Sequence, residues 1–143
     1  MDSEKMDTEK KIETSRLRSF ELFAGLTEEE LAVIAQDCAE VTVRSGAILL
    51  QQGQVGSDVY LLEEGSVGIY RGAAAPSQFL VVLQAPTLFG EMALVDPERI
   101  RTASVKALSD LRLLTIPIDA FLPRVKLFPS LKEKLHQLFA ERS

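Results

Sequence analysis

The stretch FGEMALVDPERIRTASV, residues 89–105, places an acid and a base on either side of a proline-containing turn. Gly90 and Glu91 stand near its start, and Arg101 follows ten residues after the acid. A glycine allows the backbone to approach a neighbouring group closely, and unpaired N–H groups at the start of a helical turn attract anions. A guanidinium offers a planar fork of donors that matches two phosphate oxygens. The stretch therefore contains the parts of an anion-binding loop.

Two interpretations fit this charged pair. In the first, Glu91 and Arg101 form a surface ion pair across a hairpin, a contact that contributes little to stability. In the second, both side chains contact one ligand. Because a carboxylate repels an anion, Glu91 would then accept hydrogen bonds from hydroxyl groups while Arg101 meets the anionic group. A phosphorylated sugar carries both kinds of group, and the charge pattern alone leaves the two interpretations open.

Short apolar and β-branched runs surround this stretch and predict a β-structure. Turn-forming glycines separate the runs, with the rhythm of an antiparallel sandwich or barrel. Residues 73–75, three alanines before Pro76, predict a hairpin loop. The expected strands are VTV, AILLQQ, DVYLLEE, SVGIY, QFLVVL, ASVKAL and LRLLTIPI. We expect about eight strands in all.

Helical patterns occupy both ends of the chain. Thr27 and Glu30 have the spacing of a capping box, which predicts a helix start. The apolar stripe of that helix is Leu31, Ile34, Ala35 and Cys38. After the strands, Asp119 is the expected N-cap of one helix and Pro129 suits the first turn of the next. The sequence predicts an α+β fold: an eight-stranded antiparallel, jelly-roll-like β-roll with N-terminal helices and two C-terminal helices.

Composition argues against several classes of function. The formal net charge of -5 provides no broad basic surface, so we expect no nucleic-acid partner. The single histidine, His136, cannot form a multi-histidine metal site. No GxxxxGK[ST] or GxGxxG loop occurs, and no serine lies in a nucleophile elbow. We therefore expect no catalytic residue and no metal, and a protein that is not an enzyme.

The remaining patterns concern location. Cys38 is the one cysteine and has no partner for an intrachain disulfide. No run of eighteen apolar residues and no signal-peptide pattern is present. We expect a cytoplasmic protein without direct membrane insertion, whose residues 1–14 form a flexible tail.

Two separate patterns resemble the cyclic nucleotide-binding domain family, of the type found in the catabolite activator protein, protein kinase regulatory subunits and cyclic-nucleotide-gated channels. The first is LLQQGQVGSDVYLLEEG, residues 49–65, with Gly53 and Gly56 at turn positions. The second is FGEMAL followed six residues later by RTASV, which is similar to the family's phosphate-binding cassette. Two long motifs in the right order are far more specific than a single short one.

The resemblance covers nearly the whole chain and implies one cyclic nucleotide-binding domain over residues 15–143. Within it we expect helices at 15–39, the β-roll at 40–118, the cassette at 89–103 and C-terminal helices at 119–143.

The resemblance also implies roles for individual residues. Gly90 and Ala93 would present backbone N–H groups to a cyclic phosphate. Glu91 would accept a hydrogen bond from the ribose 2′-hydroxyl, and Arg101 would pair with a phosphate oxygen. Thr102 lies where a hydroxyl can favour cGMP, although threonine also occurs in members that bind cAMP.

In the family, the last helix can cover the base of the nucleotide. Leu135, Leu138 and Phe139 are the candidates for such a lid. A leucine stripe at helical spacing is also typical of core packing or helix pairing.

The implied function is a regulatory domain that binds cAMP or cGMP, uses no further cofactor, and moves its C-terminal helices about a hinge near Phe128 and Pro129. Those helices would act on an effector protein, an effector domain or a second copy of the chain. The alternative is an interaction or dimerisation module that retains the fold without binding nucleotide, and the intact Glu91 and Arg101 argue against it.

Overall fold

The computed structural model describes residues 11–72 and 78–142. Most of the expected tail, residues 1–10, and the expected hairpin loop at residues 73–75 lie outside this part of the chain.

Within the described residues, eight strands form two four-stranded antiparallel sheets, as predicted. The strands are β1 Ala39–Val43, β2 Ile48–Leu50, β3 Asp58–Glu64, β4 Ser66–Arg71, β5 Gln78–Gln84, β6 Thr87–Phe89, β7 Ser104–Ala107 and β8 Leu111–Pro117. The first sheet has the strand order β1-β8-β3-β6, and the second has the order β2-β7-β4-β5. The strand that the sequence patterns do not identify is β6, because three residues are too few to show an alternation.

Three α-helices complete the described fold: α1 Glu28–Gln36, α2 Ile118–Leu127 and α3 Pro129–Arg142. The predicted capping box begins α1, since Glu30 N donates to Thr27 Oγ1 at 3.1 Å and Thr27 N donates to Glu30 Oε1 at 2.9 Å. Before α1, the chain forms two short 3-10 turns, Thr14–Arg16 and Glu21–Phe23, where a longer helical region was expected.

The start of α2 differs from the prediction. Pro117 occupies the N-cap position without a side-chain hydrogen bond, and Asp119 lies inside the first turn. Asp119 instead accepts a hydrogen bond from Arg99 Nη2 at 2.7 Å. Its carboxylate remains close to the positive end of the helix dipole, where an acid is favourable.

The apolar stripe predicted that Cys38 lies in the first helix, but Cys38 lies outside that helix. Helix α1 ends at Gln36, and the half-buried Cys38 thiol donates to Ile34 O at 3.4 Å. Burial raises the pKa of this thiol to about 12. Because the thiolate is the reactive form, Cys38 is a packing residue at neutral pH.

The first sheet contributes to two apolar cores, one on each face. Along β3, Val59 and Leu61 belong to the core shared with the helices, whereas Leu62 belongs to the core shared with the second sheet. Successive side chains of a strand point to opposite faces, so a strand buried on both faces consists of consecutive apolar residues. This explains the run VYLL in β3 and the run LL in β8.

Candidate functional site

A pocket of about 520 Å³ lies between the second sheet, the 89–105 stretch and the end of α3. Its volume is in the range typical of small-molecule sites. The five residues predicted to bind a ligand all line it: Gly90, Glu91, Ala93, Arg101 and Thr102. The apolar part of the lining is Leu50, Ile69, Leu80, Val81, Leu83, Phe89, Met92, Ala103, Ile100 and Val105. The fold therefore brings the predicted residues together against a largely apolar wall.

A single 3-10 turn, Glu91–Leu94, forms one side of the pocket. Gly90 precedes it with φ of 81°, in the left-handed region where a side chain is strained. A Cβ atom at this position would also lie 3.0 Å from Arg101 Nη1. The backbone conformation favours glycine here, and the closeness of the guanidinium leaves little room for a side chain.

The loop after the turn is held by Asp96. Its carboxylate accepts from Glu98 N at 2.9 Å and from Ile100 N at 3.1 Å. Such an Asx-type arrangement replaces the regular hydrogen bonds that a loop lacks. It fixes the path by which the chain returns to Arg101.

Arg101 is buried, with 6% of its surface exposed. Its Nη1 donates to Gly90 O at 3.1 Å and its Nη2 donates to Asp58 O at 2.9 Å. Within residues 11–72 and 78–142, no carboxylate forms an ion pair with this guanidinium. Burial lowers the pKa of Arg101, and the nearby Tyr60, Asp58 and Glu91 oppose that shift. The pocket wall thus contains a buried cation balanced by carbonyl dipoles rather than by a paired acid.

Two residues of the first motif shape the space around Arg101. The guanidinium carbon lies 5.9 Å from the centre of the Tyr60 ring, and that ring stacks on Phe89 with the two centroids 5.0 Å apart. Gly56 also lies close to the guanidinium: a Cβ atom there would be 2.3 Å from Arg101 Cζ. Gly56 was expected at a turn, but its main contribution is the space that it leaves for this side chain.

Glu91 is also buried, with 4% of its surface exposed, and its partner comes from α3. Arg142 Nη1 lies 2.9 Å from Glu91 Oε1, and Arg142 Nη2 donates to Thr87 Oγ1 at 3.0 Å. The surface ion pair between Glu91 and Arg101, one of the two interpretations of the sequence, is therefore absent from the described residues: Glu91 pairs with Arg142, and both members of the expected pair are buried.

The other predicted residues occupy different environments. Ala93 is a buried residue of the turn itself, whereas Thr102 is exposed at the pocket rim. The three lid candidates do not line the pocket. Leu135 is buried in the core shared with the helices, and Leu138 and Phe139 pack against that core. From α3, the residues that line the pocket are Glu141 and Arg142.

Sequence patterns do not indicate the contributions of Asp58 and Arg142. The carbonyl of Asp58 acts through the backbone, which carries no sequence signal. Arg142 stands at the polar edge of a leucine-striped helix, where a charged residue ordinarily faces solvent. The glycine at position 56 was the one available indication, because a glycine marks either a turn or a close approach.

Across the part of the chain that is described, no group of three or more histidine, cysteine, aspartate or glutamate side chains is placed to hold a metal ion. None of the described helices has the length and apolar character needed to cross a membrane.

Comparison with protein families adds independent information. A family model described as "Cyclic nucleotide-binding domain" matches residues 40–126. The chain is 31% identical over 122 residues to the cyclic AMP receptor protein of Thermus thermophilus, covering 85% of this chain and 56% of that protein. It is 33% identical over 122 residues to the cGMP-dependent protein kinase, isozyme 1, of Drosophila melanogaster, covering 82% of this chain and 16% of that protein.

Known structures give the same result. The regulatory domain of Toxoplasma gondii PKA, solved with cAMP, superimposes with a TM-score of 0.76 at 27% identity, covering 90% of this chain and 48% of that one. The chain spans about half or less of the length of each of these relatives.

Proposed function

The chain belongs to the cyclic nucleotide-binding domain family, and on this premise we propose that its pocket binds cAMP or cGMP and that it acts as a regulatory domain. The observation that carries the proposal is the buried Arg101 on the pocket wall. Burying a charge without an opposite charge nearby costs free energy, unless a bound ligand supplies the opposite charge. A cyclic phosphate is the anion that this guanidinium would meet.

The phosphate would lie between Arg101 and the 3-10 turn Glu91–Leu94. A guanidinium has five N–H donors, and two of its hydrogen bonds here go to the carbonyls of Gly90 and Asp58. These two bonds orient the group, and its remaining donors can face an anion. The backbone N–H groups of Gly90 and Ala93 are proposed to bind the same phosphate.

The ribose and base would occupy the rest of the pocket. Glu91 is the acceptor proposed for the ribose 2′-hydroxyl, because most of the other residues that line the pocket are apolar. That apolar wall, which includes Leu80 and Val81 of β5, suits the face of a purine. Thr102 at the rim is the residue proposed to influence the choice between the two bases.

A thermal melt with each nucleotide tests the proposal. At a hundred times its dissociation constant, a ligand stabilises the folded protein by about 2.7 kcal/mol, which raises the melting temperature by roughly 5–10 °C for a chain of this size. Arg101→Ala should abolish most of this shift. Arg112→Ala is the matched control, because Arg112 is an exposed side chain on β8 whose nearest acid, Glu64, lies 3.7 Å away.

No shift with either nucleotide would contradict the proposal and favour the alternative, an interaction module that binds no nucleotide. A shift that survives Arg101→Ala unchanged would mean that the ligand binds elsewhere.

Binding is further proposed to reposition the helices after the sheet. Support comes from the junction between α2 and α3, where Phe128 is extended and Pro129 begins a new helix, and from the position of the end of α3 at the pocket. A ligand can shift such an arrangement only by the difference in its affinity for the two positions.

Backbone NMR gives the test of this movement. Amide shifts of residues 130–142 should change at saturating nucleotide, whereas those of β1, Ala39–Val43, serve as an internal reference because this strand contributes no residue to the pocket lining. Unchanged shifts throughout α3 would contradict the repositioning while leaving binding intact. We propose that the repositioned helices act on an effector protein, an effector domain or a second copy of the chain.

A further inference from the structure

Helix α3 contributes Glu141 and Arg142 to the pocket lining, and Arg142 bonds across to the neighbouring turn. Arg142 is at the last position of the helix, and its guanidinium bonds to two groups outside it. Nη1 lies 2.9 Å from Glu91 Oε1 in the 3-10 turn, and Nη2 donates to Thr87 Oγ1 in β6 at 3.0 Å. The end of α3 is thereby attached to the turn that carries the proposed ligand contacts.

The rest of α3 is held by different contacts. Leu131 and Leu135 are buried in the core shared with the helices. Lys134 Nζ lies 2.7 Å from Glu21 Oε2, beside the second 3-10 turn. Because these contacts lie in the first two turns of α3, they do not depend on Glu91. The last turn is held by Leu138 and Phe139, which pack against the same core, and by Arg142, which bonds to the pocket residue Glu91.

Glu91 is already engaged by this contact. Its side chain is 5% exposed and that of Arg142 is 23% exposed, and both line the pocket. A hydroxyl that approaches Glu91 from the pocket therefore meets a carboxylate that is almost completely covered and hydrogen-bonded to a guanidinium. A neutral hydroxyl makes a weaker hydrogen bond to a carboxylate than a guanidinium does.

We infer that Arg142 competes with the ligand's ribose 2′-hydroxyl for Glu91, so that occupation of the pocket detaches the last turn of α3. The inference rests on the proposed function, because it requires a cyclic nucleotide in the pocket. It assigns to Arg142 a role that lowers affinity: only the fraction of molecules in which Arg142 has left Glu91 binds the ribose fully, and the apparent dissociation constant rises by the inverse of that fraction.

Replacing Arg142 should therefore tighten binding. By calorimetry or fluorescence competition, Arg142→Ala should bind cAMP at least about fivefold more tightly than the parent, the lower end of common coupling strengths. Lys132→Ala is the matched control, since it removes one positive charge from an exposed position of the same helix. Its affinity should equal that of the parent.

The analogue 2′-deoxy-cAMP isolates the competing group. It lacks the hydroxyl that needs Glu91, so its binding should leave the Arg142 contact in place. Arg142→Ala should then improve the affinity for cAMP but not for the deoxy analogue. An equal gain for both ligands would overturn the inference, because Arg142 would then be acting as a general obstruction rather than at Glu91.

A second variant approaches the same contact from its other end. Thr87→Val removes the hydroxyl that accepts from Arg142 Nη2 and preserves the shape of the side chain. Thr87 does not line the pocket, so the substitution loosens Arg142 without touching the ligand. It should tighten cAMP binding in the same direction as Arg142→Ala, by a smaller factor. Weaker binding by both variants would overturn the inference and make Arg142 a ligand-supporting residue.

Hydrogen exchange reports the helix directly. In the parent, amides of the last turn of α3, residues 138–142, should exchange faster when cAMP is bound. In Arg142→Ala they should exchange fast with and without cAMP. Failure of cAMP and cGMP to bind either the parent or Arg142→Ala would overturn the proposed function, and the inference with it. Binding by the parent without a gain in the variant would overturn the inference alone.

Discussion

The surroundings of one residue, Arg101, explain why two distant motifs occur in this chain. The cassette contributes Arg101 and the carbonyl of Gly90, and the earlier motif contributes Gly56, the Asp58 carbonyl and the Tyr60 ring. The second set does not contact a ligand in the proposed function. It positions the guanidinium, so a change there should act on binding through Arg101.

Gly56→Ala is the sharpest test at this scale. The added Cβ would lie 2.3 Å from Arg101 Cζ, so the side chain would have to leave its position. A hydrogen bond to a charged group contributes about 1.5–3 kcal/mol, and each 1.4 kcal/mol is tenfold in affinity. We therefore expect the dissociation constant for cAMP to rise by about ten- to a hundredfold in a calorimetric titration.

The matched control for this variant is Gly68→Ala in β4. Its Cβ would meet a different side chain, lying 2.7 Å from a ring carbon of Tyr70, which is not part of the pocket lining. This variant should lose some stability but keep its affinity. Equal affinity of Gly56→Ala and the parent would show that Arg101 does not need this space in order to bind.

At the level of elements, local sequence determines where α1 and α3 begin, although not where α2 begins, and it does not determine what the helix faces contact. The α1 capping box is formed by residues three apart, and the Pro129 start of α3 needs no distant partner. The leucine stripe of α3 was different, because helical periodicity identifies an apolar face without identifying its neighbour. In the structure that face packs into the core, and the charged end of the helix reaches the pocket.

Thr27→Ala tests the contribution of the capping box. The substitution removes the side-chain acceptor for Glu30 N, and loss of an N-cap typically costs about 0.5–2 kcal/mol. Helix α1 buries Leu31 and Ile34 completely, so its loosening should lower the free energy of unfolding of the whole domain. Urea denaturation should show this loss for Thr27→Ala and nearly parental stability for Thr27→Ser, which keeps a hydroxyl. Equal stability of all three proteins would contradict a role for the cap.

At the scale of the whole molecule, the first sheet separates the helices from the second sheet, and the pocket lies on the side of the second sheet. The helices and the second sheet therefore pack into different cores, with Leu61 in one and Leu62 in the other. The 89–105 stretch joins them, since Phe89 belongs to the second core and Ala93 to the first. A ligand bound to this stretch would therefore contact a segment that packs into both cores.

Features that depend on neighbouring residues were predictable before folding: the order of most strands and helices, the α1 capping box and the α+β roll. The cassette motif also predicted five ligand-site residues, all of which line one pocket. Each of these follows from turn chemistry, periodicity or a motif that is continuous in the chain.

The pairing of residues that lie far apart in the chain depends on the fold. The Asp58 carbonyl and Arg101 are 43 residues apart, and Thr87 and Arg142 are 55 apart. Hydrogen bonds act over about 3 Å, so the partner of a charged side chain depends on how the sheets and helices pack. Glu91 and Arg101 were predicted to bind one ligand, and both line one pocket, while their contacts, Arg142 for the acid and two backbone carbonyls for the base, became visible only in the folded chain.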